Sequence, residues 1–599
     1  MDSKIHQIRP AWNEHAIVAG TILFISLMLT AKYFTGLENE PIYAGNVFQT
    51  LHPDAFPGDP YRGPEASFWQ RPIQLSLLYG FVKLTGSIWL DDRFVALVFL
   101  LLVVAGLAGI DRTARLFGVT DVFGRMVVLF LFSRDHAVLD HKVLLAHHPD
   151  LNHMAVAIPI IVWLFYAALA RKGLWVVLAI GAVLSLFSIR NALFPILCAL
   201  AAVFSNGTKQ ERTAIAGICI AGALAFLAGI TYLMPISDDA RLILWNYIRI
   251  REGSDANPFD LEPEFVIGTF VWLTLMAAAY FAAPKATPAG SGARAISLAA
   301  LAIWLIGGAY ISWAPDALKA PLLIGFAPNR ALAWPQNLAY VLLAAFALRH
   351  ATLKTEPVRR TLAACSIVAL FIIGPGNWLQ WAILLTVAAV ITFIWICVRF
   401  VSAIDLSARA KAAAGLIATD WRPALALSLG VVMAGTLPWI AMQQGPAWIV
   451  AFKHGVHGHN GTAPWIGIAE YIRDNTPANS SVLPIADVNG RLVVTRSLGT
   501  RAGRTMPVPE DYSPRFRDPR AWDLRDRQYA VLRELIKSLE NRDYPAVSKL
   551  VTSLIPVPDY IIFPERIVSP TDAPFRHYSF ETRIGTSIIF RRSLQREAQ

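Results

Sequence analysis

Long apolar runs separated by short polar breaks dominate the chain. Hydropathy windows place them near 16–33, 94–110, 122–134, 154–170, 174–188, 191–205, 213–235, 265–283, 295–313, 331–349, 361–374, 377–398 and 424–441. Most are about 17–23 residues, the length at which a helix crosses the roughly 30 Å hydrocarbon layer. The pattern predicts an α-helical polytopic membrane bundle of about thirteen spans over 1–442. The runs on either side of Arg190 could also be one broken helix.

Two regions break this pattern. The segment 34–93 is too polar to span, and its two apolar stretches (Ile42–Leu51 and Phe68–Leu84) read as helices lying along a membrane interface. The segment 443–599 alternates helix-like and strand-like patterns. These are a helix at Trp465–Asn475, a strand at Ser481–Ile485, a polar helix at Arg525–Asn541, and strands at Tyr560–Phe563 and Thr586–Phe590. That alternation predicts a small soluble α/β domain.

Composition supports the membrane class. Of 599 residues, 55% are hydrophobic and only 16% charged, with a mean hydropathy of +0.47. A soluble surface of this size needs more charge. The net charge of +11 does not gather into a nucleic-acid-binding face. It sits in short connections carrying Arg112 and Arg115, Arg171 and Lys172, Lys209 and Arg212, Lys285 and Arg294, and Arg359 and Arg360. Such loops face the cytoplasm. The N-terminus is therefore expected inside and, with an odd number of spans, the C-terminal domain in the periplasm. The first run is expected to be a retained helix rather than a cleaved signal, because no A-x-A-like site follows it. All four cysteines fall in apolar runs and read as small core residues.

No Walker A, GxGxxG, HExxH or GxSxG motif occurs. Candidate chemistry therefore falls on polar residues of the outer side. The first outer loop carries Glu40, Asp54 and Asp59 beside apolar stretches, where partial desolvation suits a carboxylate to act as general base. The second carries His147, His148, Asp150 and His153, of which His148 and Asp150 are candidate metal ligands. The bland reading of each group is a solvated loop that happens to contain acids or imidazoles.

A first helix, a long acidic outer loop with interfacial helices, a many-span bundle and an outer α/β domain together resemble the GT-C glycosyltransferases. These include protein O-mannosyltransferases and aminoarabinose transferases. The Asn39-Glu40-Pro41-Ile42-Tyr43 stretch resembles that superfamily's Asp-Glu-x-x-Tyr-like element, with Asn in place of Asp, and Phe56-Pro57-Gly58-Asp59 resembles a second acidic position. The resemblance implies transfer of a sugar from a polyprenyl-phosphate donor to an extracytoplasmic acceptor. Glu40, Asp59 or Asp54 would be catalytic, Tyr43 would contact substrate, and a divalent cation is the cofactor it brings into question. Arg330, Arg190 and Arg249 are candidate partners of the donor phosphate, because a guanidinium meets phosphate through two parallel hydrogen bonds. Arg249 also belongs to an amphipathic stretch with Arg241, Trp245 and Arg251 that reads first of all as interfacial anchoring. Two other classes stay open: a transporter or flippase of a lipid-linked or anionic substrate, and a non-catalytic envelope scaffold.

Overall fold

The computed structural model describes residues 9–30, 92–132, 153–233, 263–316, 328–351, 463–488, 491–494, 504–507, 519–568 and 577–593, together with positions 80, 242, 245, 246 and 319. The protein is mostly helical, with a small C-terminal sheet. Ten helices make the N-terminal bundle: α1 (Arg9–Thr30), α2 (Asp92–Leu116), α3 (Val122–Leu131), α4 (His153–Leu169), α5 (Leu174–Phe187), α6 (Ile189–Asn206), α7 (Lys209–Leu233), α8 (Pro263–Ala282), α9 (Pro288–Trp313) and α10 (Gln336–Ala351). Each coincides with one of the first ten apolar runs. The runs at 361–374, 377–398 and 424–441 and the interfacial stretches of the first loop lie outside the described residues, apart from Gly80. The count of thirteen spans therefore stays an expectation. Among the described residues, two helical stretches are long and apolar enough to cross a membrane: Leu97–Leu116 and Pro288–Trp313.

Inside the bundle, close packing depends on small residues. A Cβ on Gly109 of α2 would stand 2.8 Å from a Val162 methyl and 3.2 Å from the Trp163 indole nitrogen of α4. The missing side chain lets Trp163 donate a hydrogen bond to the Ala105 carbonyl at 2.9 Å. Helix α6 lies against α4, α5 and α9, and α8 lies against α9 and α10. Large apolar side chains also lie on the outside of the bundle. Trp175, Phe281, Ile306 and Trp313 are each at least 70% exposed, a distribution that water would penalise on a soluble surface.

The C-terminal elements are α11 (Ala463–Asn475), β1 (Val482–Val488), β2 (Arg491–Val494), α12 (Pro519–Glu540), α13 (Tyr544–Thr552), β3 (Tyr560–Pro564), β4 (Tyr578–Ile584) and β5 (Ser587–Arg592). The strand order is β2-β1-β3-β5-β4, with β1 parallel to β3 and the other pairs antiparallel. The parallel pair requires a crossover, which α12 and α13 supply. Period-two alternation then sorts the side chains. Leu483, Ile485, Ile561, Phe563, Ile588 and Phe590 pack with Leu535 and Val547 on one face. Val482, Tyr560, Ile562 and Ile589 meet Ile468 and Ile472 of α11 on the other.

Side chains close the ends of this domain. Arg504 donates to the carbonyls of Arg473 and Thr476, both at 2.8 Å, and so caps the C-terminus of α11 where the helix dipole favours a cation. The Asp559 carboxylate accepts from the Ser481 backbone at 2.8 Å and from its hydroxyl, tying β1 to the start of β3. The three expected strands and two expected helices are present. The sequence reading lacked β2, β4 and α13.

Candidate functional site

Positions 188–191 illustrate how the bundle places polar groups. Helices α5 and α6 are joined by the single extended residue Ser188. A Cβ on Gly181 would stand 3.0 Å from Ile196, so the two helices run antiparallel as a hairpin and not as one broken helix. The hairpin is short. Ser188 stands roughly 20 Å along the axis from the exposed Trp175 at its base, at 1.5 Å per residue. Asn206 donates to the Pro288 carbonyl at 2.7 Å, and Gly292 faces Ala202, which fixes an antiparallel register between α6 and α9. That register sets Asn191 beside Ile303, roughly 15 Å below the end of α9 at Trp313.

Helix α10 lies against α2. Arg349, near its far end, donates to the Phe117 carbonyl at 3.0 Å. Gln336 opens the helix roughly 20 Å away along the axis. A 3₁₀ turn (Pro328–Ala331) leads into this start and packs against α9. Its Arg330 carbonyl accepts from the backbone N–H groups of Ala333 and Trp334 at 3.0 and 3.2 Å. Every residue from Ala331 to Leu342 is buried, so the non-helical approach to α10 is enclosed by protein.

Both helix starts carry a buried amide. Asn191 and Gln336 are fully buried, and neither the nitrogen nor the oxygen of either side chain has a hydrogen-bond partner among the described residues. The Ser188 hydroxyl is in the same position, and it makes no capping bond to α6. Each such group costs about 1–3 kcal/mol where a partner is not supplied. Helix starts also present free N–H groups and a partial positive charge. The backbone N–H groups of Asn191 and Gln336 already donate to the Ser188 and Ala333 carbonyls, so the chemistry on offer is that of the side-chain amides, which donate through nitrogen and accept through oxygen.

A second polar group lies where the end of α2 meets the start of α3. Arg125 grips Asp111 through two bonds, Nε–Oδ1 at 2.7 Å and Nη2–Oδ2 at 2.8 Å, and Arg115 reaches the same carboxylate at 3.0 Å. Asp111 and Arg125 are both buried. The sequence reading singled out neither residue. Residues 111 and 125 are fourteen apart, and only the tight turn at 117–121 shows that they meet. Nearby, Ile110, Thr113, Phe165, Trp334 and Asn337 line a small cavity whose free space takes about one water molecule. It is too small for a sugar or a lipid headgroup.

Of the sequence-based candidates, Glu40, Tyr43, Asp54, Asp59, His148, Asp150 and Arg249 lie outside the described residues. Arg190 is the second residue of α6, directly beside Asn191, and its side chain is likewise outside them. Arg330 sits in the 3₁₀ turn before α10, half-buried. Among the described residues, no three His, Cys, Asp or Glu side chains gather as a metal site. Of the stretch around Arg249, only Leu242, Trp245 and Asn246 lie among the described residues, and only Trp245 shows a partner. Trp245 is buried, edge-on to Tyr310 of α9 at 5.6 Å, with Lys319 over its ring. The structure thus adds Asn191, Gln336 and Ser188 to the site. Their only sequence signal was a polar residue at the edge of an apolar run. No protein-family model, curated protein or solved structure matches this chain.

Proposed function

We propose that this protein is a polytopic inner-membrane glycosyltransferase of GT-C type that takes its sugar from a polyprenyl-phosphate donor. The observation that carries the reading is the pair of shortened helices, α6 and α10. Their N-termini stop within an otherwise apolar bundle and hold buried amides there. A bilayer around the bundle accounts for its exposed apolar residues, with Trp175 and Trp313 as aromatic anchors at the two interfaces. In that frame the start of α6 faces the extracytoplasmic side, roughly 10 Å beneath the surface of a 30 Å hydrocarbon layer. The α5–α6 hairpin enters and leaves on the cytoplasmic side. It replaces two spans without changing their parity, so the C-terminal domain stays periplasmic if thirteen runs are counted.

Function then follows from the first outer loop. Glu40 or Asp59 accepts the proton of an acceptor hydroxyl, whose oxygen attacks the sugar's anomeric carbon. The carbon–oxygen bond to phosphate breaks, and the phosphate leaves with the electron pair. Tyr43, three residues after Glu40 in the sequence, contacts the sugar. Any divalent cation would use His148 and Asp150. Replacing Glu40 by Gln and Asp59 by Asn, with transfer from radiolabelled polyprenyl-phosphate sugar measured in membrane vesicles, tests this. A fall of about 10²-fold or more in at least one variant is the result expected of a lost general base. Full activity in both would remove the assignment.

A transporter is the second reading, and the same observation favours it. Helix N-termini ending inside the membrane are also how transporters receive anionic substrates. Uptake of a labelled lipid-linked sugar into proteoliposomes, without sugar transfer, would select it.

A further inference from the structure

We propose that the basic end of the α2–α3 unit binds the headgroup of an anionic phospholipid through Arg112, Arg115 and Arg349. The site stands apart from the sugar-transfer reading, and the failure of either leaves the other intact. Charge is the first observation. Arg125 already neutralises the Asp111 carboxylate through two bonds, at 2.7 and 2.8 Å. Arg115 adds a bond to the same carboxylate at 3.0 Å, so one negative charge meets two positive ones. Asp111 and Arg125 are buried, whereas the Arg115 side chain is 32% exposed and carries the surplus charge to the surface. Arg112, three residues earlier and therefore its neighbour on the helix, is exposed. The other carboxylate of the unit, Asp121, is engaged in capping α3 through the Gly124 N–H at 2.8 Å.

A further cation arrives from α10. Arg349, exposed in the last turn, donates to the Phe117 carbonyl at 3.0 Å. Its Nη2 lies 3.9 Å from where a Cβ on Gly118 would stand, and the Gly118 N–H donates to the Arg115 carbonyl. The guanidinium thus covers the end of α2 just beyond Arg115. Apolar neighbours favour a lipid over a soluble anion. Phe346, three residues before Arg349 and so on the same side of α10, is 41% exposed. Leu101, eleven residues or about three turns before Arg112, shares that residue's face of α2 and is 58% exposed. On both helices an outward apolar side chain lies deeper and an arginine lies nearer the end. Acyl chain and headgroup follow the same order in a leaflet, and a guanidinium suits phosphate through its paired N–H groups.

Full-length protein in detergent is titrated with phosphatidylglycerol or phosphatidylcholine, and bound lipid is counted by native mass spectrometry. Phosphatidylglycerol is expected to bind about tenfold or more tightly than phosphatidylcholine. Arg112→Gln, which touches no bond of the ion pair, should weaken phosphatidylglycerol about fivefold. Arg112→Gln with Arg349→Gln should weaken it about thirtyfold, a factor of about five for each cation removed. Arg112→Lys with Arg349→Lys keeps both charges and should stay within a few-fold of the parent. Lys172→Gln with Lys285→Gln removes two exposed charges from other connections at the same end and should change nothing. An equal loss in that control would show diffuse attraction and overturn the site. Equal affinity for the two lipids would do the same, as would full binding in the Arg112 and Arg349 double variant. Glycerol phosphate has the charge without the chains and should not displace the lipid; displacement at equal concentration would overturn the lipid assignment. Where the double variant fails to fold, Arg112→Gln alone decides, and an unchanged affinity there overturns the site.

Discussion

Tyr578 shows what a single side chain does to the outer domain. Its phenol is buried at the sheet edge and donates to the Pro558 carbonyl. Burial disfavours the phenolate and pushes the group well above the usual tyrosine value of about 10. The sign follows from linkage. An unfolded chain ionises near pH 10 while the folded one keeps its proton, so this contribution is complete below pH 10 and is lost as pH rises beyond it. Unfolding of the full-length protein in detergent between pH 8 and 11 should show stability falling above pH 10. Tyr578→Phe should make that fall shallower, while costing about 1 kcal/mol at neutral pH for the lost hydrogen bond. Tyr560, also raised by burial, leaves a residual slope. An unchanged slope in the phenylalanine variant would show that Tyr578 is not its source.

At the scale of elements, the α2–turn–α3 unit depends on a buried ion pair. Helix α3 has ten residues, about half of what a membrane crossing requires. It gains its place through Arg125, held by Asp111, and through the Asp121 side chain capping its first turn at 2.8 Å. Breaking a buried pair leaves one charge stranded, at a cost of about 3–5 kcal/mol. Asp111→Asn should therefore lower the melting temperature and the yield of folded protein in detergent. The joint change Asp111→Asn with Arg125→Met, which removes both charges, should recover much of the loss. If the single and joint variants melt alike, the pair is not what holds α3. Neither partner was singled out in the sequence: Asp111 directly follows the run at 94–110, and Arg125 lies inside the run at 122–134.

For the whole molecule, orientation is the testable property. Basic connections at 112–115, 171–172, 209–212 and 285–294 all lie at one end of the helices, and this end is expected in the cytoplasm. A fluorescent-protein fusion at the C-terminus should then stay dark, and a phosphatase fusion there should be active. A second pair of fusions after Lys172 should give the opposite result. A bright C-terminal fluorescent fusion would reverse the placement of the α/β domain and with it the donor chemistry proposed outside.

Apolar run length and period-two alternation were local properties, so ten helices and three of the five strands could be read directly. Strand β2, four residues long, was not read from the sequence. The resemblance to GT-C enzymes drew on the same local features and named acids in the first loop. What the sequence by itself determined, then, was which segments are apolar, how long they are and which connections carry positive charge. Only the tertiary structure decided how deep each helix ends. Ser188, Asn191 and Gln336 are ordinary polar residues in a row of letters. They become a candidate site because the register of α6 on α9 and the packing of the 3₁₀ turn bury them, and a buried amide has to find its hydrogen bonds within the protein or in a ligand.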